Sequence, residues 1–200
     1  MKRSAERILT THTGSLPRPE ALLTLIMAGE RGQPVEEGRF RELARSAVAE
    51  AVRKQVEIGI DVVNDGEMSK PSYATYIKGR LSGFGGKAAQ PMPADMADFP
   101  SYMRRLFANM PAETMEMMGG ACDGPVQLRD PQAITRELDD LKAALVDVEP
   151  VDVFVTAASP GVIARFLPNQ HYPSHETYLE AIANAMRHEY QAIADAGFVL

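Results

Sequence analysis

The chain has 200 residues, of which 45% are hydrophobic and 24% are charged, which is ordinary globular composition. Length alone predicts one domain, or at most two. A formal net charge of -6 argues against binding to a nucleic-acid backbone, which requires a basic surface. The single cysteine, Cys122, excludes an intrachain disulfide and favours a reducing compartment.

No segment has the features of a membrane span or a secretion signal. The longest apolar runs fall short of the roughly 18 residues that a span requires. The charged start, residues 1–6, is followed by no apolar stretch of the kind found in signal peptides. We therefore expect a soluble, cytoplasmic protein that contacts no membrane.

The first third of the chain predicts two strands separated by helices. Residues 8–11 predict a short strand, and residues 20–29 predict a helix. The segment 36–58 carries apolar residues on one stripe and predicts a longer helix that stops at Gly59. The β-branched run 60–63 then predicts a buried strand. Strand, helix, strand is a βαβ unit, so we expect parallel pairing.

The middle of the chain predicts a departure from this pattern. A short helix is predicted through residues 76–80, after which residues 82–112 contain glycines and prolines and predict an excursion from the barrel. Within the excursion, residues 96–107 have helical spacing, and Pro100 marks a boundary or a first turn. Residues 113–128 are extended in character.

The final third returns to alternating helices and strands. An Asp-Pro pair supplies the N-cap and first position of a helix over 131–146. Residues 151–156 predict a strand, and a long helix begins after Ser174 and closes at Gly197. Residues 198–200 begin a further strand.

These elements predict an α/β protein with about half of a (β/α)8 TIM barrel, a fold that typically needs about 250 residues. We expect residues 1–200 to form a single domain, the N-terminal portion of such a barrel, truncated at the start of strand 5. Half a barrel has an open sheet edge and an uncovered core. It should therefore be poorly soluble alone or paired, and homo-oligomer formation is left open.

Candidate functional residues lie at the predicted strand ends. Asp65 and Glu67 flank Gly66 directly after strand 60–63, and parallel barrels place their chemistry at the C-terminal ends of strands. A carboxylate there can bind an ammonium group, act as a base or hold a metal. The alternative is a helix N-cap or a surface salt bridge, and the residues alone leave both readings open.

The loop after the first strand is a second candidate. Gly14-Ser15 allows the backbone to approach a ligand, although the segment can equally be a tight connection into the next helix. His12 lies beside it, and a lone loop histidine is more often structural than catalytic. Ser159 follows strand 151–156 and, with His12 and Asp65, completes the set of pocket candidates.

No self-sufficient catalytic or metal-binding constellation is present in the sequence. Ser15 lacks a G-x-S-x-G context, and Cys122 is a single thiol that we interpret as structural. Pro173 separates His171 from His175, so a zinc pair is not expected there. We predict no catalytic residue and no metal ligand in this chain.

Three separated stretches resemble the C-terminal barrel of cobalamin-independent methionine synthase. Residues 10–18, Thr-Thr-His-Thr-Gly-Ser-Leu-Pro-Arg, resemble its first-strand loop. Residues 59–70, followed by Tyr-Ile at 76–77 and Leu-Ser-Gly-Phe at 81–84, resemble its next block, a Gly-Glu-Pro-Glu-Arg turn with a downstream Tyr-Phe and Gly-Phe. Residues 156–161, followed by a helix ending in Ala-Gly-Phe, resemble a third stretch. The similarity keeps its order along almost the whole chain.

The resemblance implies a substrate site at Thr13, Gly14, Ser15 and Glu67, because the family loop holds the homocysteine carboxylate and the turn glutamate binds the amino-acid substrate. It implies a zinc-dependent methyltransferase whose partners are a small-molecule thiol and a methyl donor. Zinc would hold the substrate sulfur as a thiolate. The family's zinc ligands come from strands beyond residue 200, and activity of this chain alone is left open.

Two departures from the family pattern leave alternatives. Thr13 stands where the synthase has isoleucine, and Met68-Ser69 replaces its Pro-Glu. The chain fits short, single-barrel relatives better, which include epoxyalkane:coenzyme M transferases. It is therefore also consistent with a transferase of another alkyl group to another thiol, or with a non-catalytic binding fragment that lacks the metal site.

Overall fold

The structure is a computed structural model that describes residues 2–88, 94–109 and 120–200. These residues form an α/β arrangement of helices around a small parallel sheet. The described helices and strands are α1 (Glu20–Glu30), α2 (Glu37–Glu57), β1 (Val62–Val63), α3 (Ile77–Arg80), α4 (Ala94–Ala97), α5 (Pro100–Ala108), α6 (Gln132–Ala144), β2 (Asp152–Val153), α7 (Pro160–Phe166) and α8 (His175–Asp195).

The sheet consists of chain segments that run parallel in sequence order. β1 and β2 pair in parallel, with Val62 opposite Asp152. A single parallel bridge joins Thr11 to Val62 on one side, and another joins Phe154 to Val199 on the other. Four segments therefore lie side by side, as expected when successive strands are connected by helices on the sheet faces.

The two longest helices end in the same way and lead directly into the sheet. α2 and α8 each contain 21 residues. In α2, Gly59 adopts φ +84, and the N–H of Ile60 donates to the carbonyl of Gln55 at 2.9 Å. Gly197 adopts φ +83 at the end of α8, with Phe198 bonded to Ile193 in the same pattern. This is the Schellman motif, which turns each helix into the next parallel segment.

Two hydrophobic cores hold the layers together. The first lies between α1, α2, α6, the C-terminal end of α8 and the sheet; its fully or nearly fully buried members include Leu22, Val52, Val63, Ile134, Leu141 and Ile193. The second joins α7 and α8 to the segments that follow β1 and precede α6; its members include Ile77, Leu81, Cys122, Ile163, Leu167, Tyr178, Ile182 and Met186. Among the described residues, none of the helices combines the length and the hydrophobicity that spanning a bilayer requires.

The predicted helices are present, and the predicted strands are shorter than expected. The strand predicted over 8–11 is reduced to one bridge at Thr11, because the N–H of Thr10 donates to the Asp61 side chain at 2.8 Å instead of to a neighbouring strand. β1 and β2 likewise contain two residues each. Helix α7 was not predicted, although a Ser-Pro pair opens it much as an Asp-Pro pair precedes α6.

The excursion predicted over 82–112 and the extended segment 113–128 are described only in part. Residues 89–93 and 110–119 lie outside the described residues. In the described part, Pro100 occupies the first turn of α5 and separates it from α4, which agrees with its predicted role. The domain boundaries and the excursion remain predictions.

We predict that Ile182→Ala lowers the free energy of unfolding by about 2–5 kcal/mol, because Ile182 is 0% exposed in the second core and its truncation leaves a cavity. Urea unfolding measures this change. The matched control is Ile58→Ala, where the side chain is 62% exposed and about 0.5 kcal/mol or less is expected. Equal losses in the two variants would show that the second core is not packed as described.

Candidate functional site

The turn after β1, residues 64–70, has an unusual backbone. Gly66 and Glu67 are consecutive residues in the left-handed region, with φ +67 and φ +55. Among the described residues, Glu67 is the only non-glycine with a positive φ. A side chain in this conformation costs on the order of 1 kcal/mol, and such residues cluster at functional sites.

Side chains from within the turn and from α2 hold this backbone in place. The Oδ1 atom of Asn64 accepts the N–H of Gly66 at 2.7 Å, and Oδ1 of Asp65 accepts the N–H of Glu67 at 2.9 Å. Buried Gln55 donates to the carbonyl of Asn64 at 2.8 Å and accepts its N–H at 3.2 Å. The turn is therefore anchored to the helix that precedes β1.

The loop at residues 12–18 is attached to the same turn. The N–H of Leu16 donates to the carbonyl of Gly66 at 3.0 Å, and Nδ2 of Asn64 donates to the carbonyl of His12 at 2.8 Å. Both segments follow parallel strands, so their ends meet at one edge of the sheet. The loop and the turn that the family resemblance implies to be one substrate site therefore lie side by side.

The Glu67 carboxylate is where these segments meet. Its side chain is 3% exposed. The Ser15 hydroxyl donates to Oε2 at 2.5 Å, and the Thr156 hydroxyl donates to Oε1 at 3.1 Å. Thr156 follows β2, so three neighbouring parallel segments contribute to one carboxylate.

Two cations, Arg18 and Lys70, bind main-chain carbonyls near Glu67 and form no ion pair with its carboxylate. Lys70 is 1% exposed; its Nζ donates to the carbonyl of Thr156 at 2.7 Å and lies 5.0 Å from the ring centroid of Tyr76. Arg18 donates to the carbonyls of Glu67 and Lys70 at 2.9 and 2.5 Å. Burial lowers the pKa of Arg18, an effect opposed by the nearby charge of Glu67.

Asp65 adds a second carboxyl to the turn. Burial raises its pKa above the ordinary value for an aspartate, and the positive charge of Lys70 opposes that shift. The two carboxylates of Glu137 and Glu67 act in the same direction as burial. Asp65 is therefore biased towards its neutral form, in which its carboxyl still accepts the Glu67 N–H.

The remaining predicted residues have different roles. Thr13 is exposed, and Gly14 adopts φ +101, a conformation that favours glycine. The Nε2 atom of His12 lies 3.0 Å from the carbonyl of Gly14, so this histidine supports the loop. The Ser159 hydroxyl accepts the N–H of Val162 at 3.2 Å and caps α7.

A buried ion cluster supports the segment that carries Thr156. Arg80 pairs with Glu137 and Glu189, both at 2.5 Å. Tyr76 donates to Glu189 at 2.7 Å and accepts the N–H of Ala158 at 3.0 Å. Burial opposes the charge on Arg80, but the two carboxylates outweigh it and raise its pKa. The cluster ties α3, α6 and α8 to the loop that follows β2.

Thr156, Arg18 and Lys70 were not among the predicted site residues. Thr156 was predicted as the last residue of a strand, which is the position where barrel chemistry is expected. Arg18 and Lys70 each ended a segment that resembled the family. The position of each residue, at a strand end or at the end of a family block, could therefore have identified all three as site candidates.

The described residues do not fit a zinc centre. Within residues 2–88, 94–109 and 120–200, no group of three or more His, Cys, Asp or Glu side chains is arranged to hold a metal ion. Cys122 is buried, and its Sγ donates to the carbonyl of Gly124 at 3.4 Å. Burial raises the pKa of this thiol, whereas a zinc ligand requires a thiolate.

We predict that Asp65→Asn becomes more stable relative to the parent chain as pH rises from about 4 to about 7. The folded-state pKa of Asp65 is raised, so its carboxyl favours the folded state most at low pH and loses that contribution as it ionises. Asparagine stays neutral. Urea unfolding across this pH range measures the difference.

The control for that experiment has the opposite sign. Hydrogen bonding to Arg136 lowers the pKa of Asp130, so its carboxylate contributes fully above about pH 5 and loses that contribution as pH falls from there through its lowered pKa. Asp130→Asn should therefore lose stability relative to the parent as pH rises to about 5, and the difference should stay nearly constant from about 5 to about 7. A pH-independent difference for Asp65→Asn would contradict the burial of its carboxyl.

Sequence comparisons identify partial relatives. No family model matches the chain. A methionine synthase of Thermococcus kodakarensis is 36% identical over 75 residues, which is 38% of this chain and 22% of that protein. The Sulfolobus acidocaldarius methionine synthase is 40% identical over 75 residues, again 38% of this chain and 22% of that protein. A methionine synthase of Pyrococcus abyssi is 23% identical over 94% of this chain and 48% of that protein.

Solved structures with the same fold cover nearly the whole chain. A B12-independent methionine synthase from Shewanella sp. W3-18-1, in complex with selenomethionine, has a TM-score of 0.65 at 19% identity over 94% of this chain and 49% of its own. A putative counterpart from Listeria monocytogenes has a TM-score of 0.61 at 18% identity over 96% and 51%. The chain thus spans at most about half the length of these proteins, and sequence and fold together confirm its resemblance to the cobalamin-independent methionine synthases.

Proposed function

We propose that the chain is part of a methyltransferase of the methionine synthase type and that Glu67 binds the α-ammonium group of homocysteine. The observation that carries this proposal is the Glu67 carboxylate itself. Glu67 is 3% exposed and has a left-handed backbone conformation. Its carboxylate accepts hydrogen bonds from the hydroxyls of two residues at neighbouring strand ends. The partial relatives named methionine synthase support the same reaction class.

The carboxylate retains acceptor capacity for a ligand. A carboxylate has about four lone-pair positions, and hydroxyls of Ser15 and Thr156 occupy one on each oxygen. An ammonium group that approaches Oε1 and Oε2 would form charge-assisted hydrogen bonds, which are stronger than neutral ones. Because the surroundings exclude water, the attraction is less screened than it would be at an exposed glutamate.

The loop beside Glu67 suits the other end of an amino acid. We propose that backbone N–H groups of Thr13, Gly14 and Ser15 and the Ser15 hydroxyl hold the ligand carboxylate. Ser15 already bonds to Glu67, so one residue would lie between the two charged ends of the ligand. The glycine conformation at position 14 supports close backbone approach.

The proposed contribution of these residues is positioning. The resemblance implies that zinc would hold the substrate sulfur as a thiolate. The described residues supply no fitting ligand set for it, so their role is limited to binding and orienting the amino acid. Fixed orientation of a nucleophile towards its methyl donor is itself a large source of rate enhancement.

We further propose that residues 1–200 form one domain, the first half of a (β/α)8 barrel, with 82–112 as an excursion and a cytoplasmic location. Four parallel segments in sequence order support the barrel. The structural neighbours, of which this chain covers 49% and 51%, support the half. An open sheet edge in such a half would need a partner to pair with its unpaired backbone groups. We therefore propose homo-oligomer formation as one way to cover that edge.

An amino-acid acceptor is favoured over other thiols by the charge of the site. Coenzyme M carries a sulfonate and no ammonium group, so the Glu67 carboxylate would repel it. The Shewanella sp. W3-18-1 neighbour was solved with selenomethionine, an amino acid with both charged ends. Two alternatives are transfer of an alkyl group to another thiol and binding without catalysis. Comparing the binding and turnover of a panel of thiols would reveal either one.

We predict that Glu67→Gln weakens homocysteine binding by about ten- to a hundredfold, because a hydrogen bond to a charged group contributes about 1.5–3 kcal/mol. Glutamine keeps the size of the side chain and removes the charge. Isothermal titration of the purified chain with L-homocysteine measures the dissociation constant.

The matched control for Glu67→Gln is Glu180→Gln, an exposed glutamate on α8, which should bind like the parent. Binding of coenzyme M in preference to homocysteine would favour transfer to another thiol. Unchanged homocysteine affinity in Glu67→Gln would contradict the proposed function.

A further inference from the structure

Arg18 makes contacts that the proposed function does not use. Its Nη2 donates to the carbonyls of Glu67 at 2.9 Å and Lys70 at 2.5 Å, and its Nε donates to the carbonyl of Met68 at 3.3 Å. Three carbonyls of one turn are thus bound by one guanidinium. We name this set of bonds the Arg18 clamp.

The clamp binds the part of the turn that the side chains of Asn64 and Asp65 do not bind. Asn64 and Asp65 bind the N–H groups of Gly66 and Glu67 on the N-terminal side of the turn. On the C-terminal side of the turn, Arg18 binds the carbonyls of Glu67, Met68 and Lys70. The Glu67 carbonyl also accepts the N–H of Lys70 at 3.1 Å. The left-handed Glu67 is therefore fixed from both sides.

Only arginine can make this set of contacts. Its guanidinium is planar and carries five N–H donors in a fixed fork, whereas lysine has one compact ammonium group on a flexible stem. The side chain of Arg18 is half-buried, and burial lowers its pKa against the opposing charges of Glu67 and Asp65. Substitution can separate the two properties, because Arg18→Lys keeps the positive charge and removes the guanidinium fork, whereas Arg18→Met removes both.

We propose that Arg18 is a positioning residue for Glu67, which acts by holding the 67–70 turn so that the carboxylate faces Ser15, Thr156 and the ligand ammonium group. The inference rests on the proposed function, because it assigns Arg18 a role in that same site. Arg18 does not contact the ligand in this account. Its loss should therefore weaken only ligands that carry an ammonium group.

The test compares two ligands and three variants by isothermal titration. The ligands are L-homocysteine and 4-mercaptobutanoate, which is the same molecule without the amino group. Arg18→Lys and Arg18→Met should each weaken homocysteine binding by about tenfold and leave 4-mercaptobutanoate binding unchanged. Arg187→Met, at an exposed position on α8, is the matched control and should change neither affinity.

A double variant shows whether Arg18 acts through Glu67. In the Glu67→Gln background, Arg18→Met should cause no further loss of homocysteine affinity, because the group that it positions is already absent. Additive losses, or equal losses for both ligands, would overturn the proposal. Full recovery of homocysteine binding by Arg18→Lys would also overturn it, because the charge alone would then be sufficient.

Amide hydrogen exchange tests the clamp without any ligand. In Arg18→Met, the N–H groups of Glu67 and Lys70 should exchange at least about tenfold faster, while that of Val52 in the first core stays unchanged. Unchanged exchange in the turn would overturn the clamp. Faster exchange at Val52 as well would overturn the positioning role, because Arg18 would then stabilise the fold as a whole. If the parent chain binds neither ligand, the proposed function fails, and the exchange result still decides the clamp.

Discussion

A carboxylate that is withdrawn from water must be compensated by donors and by positive charge, and Glu67 imposes that requirement on the structure around it. Two hydroxyls bind its oxygens, and two cations lie nearby on backbone carbonyls. The left-handed backbone at Glu67 adds a local cost that the turn must offset. This concentration of compensating groups is difficult to explain by packing alone, and the ammonium-binding role that we propose for Glu67 would account for it.

The fold provides these groups because parallel strands end at the same edge. Schellman motifs at Gly59 and Gly197 redirect the two long helices into neighbouring parallel segments. The loops that follow the first three segments then lie next to one another, which brings Ser15, Glu67 and Thr156 together across large separations in sequence. The alignment of the parallel segments, which the helices set, therefore determines which side chains meet at the site.

Sequence reasoning anticipated the long helices and the contact between the regions of Ser15 and Glu67, because periodicity, helix stops and the family blocks report on local structure. The length of the first strand was not predictable in the same way, since the Asp61 side chain accepts the N–H of Thr10 in place of a neighbouring strand. The positions of Arg18 and Lys70 at the ends of family blocks were visible in the sequence, but the partners that their side chains bind were not. Both bind main-chain carbonyls, and no side-chain type marks such a partner in a sequence.

The central claim is that Glu67 binds the amino group of an amino-acid thiol. A crystal structure of the chain soaked with L-homocysteine tests it most directly. We expect the ligand nitrogen to lie within about 2.7–3.2 Å of Oε1 or Oε2 of Glu67, with the ligand carboxylate at the 13–15 loop. A ligand bound elsewhere, with Glu67 still bonded only to Ser15 and Thr156, would contradict the account.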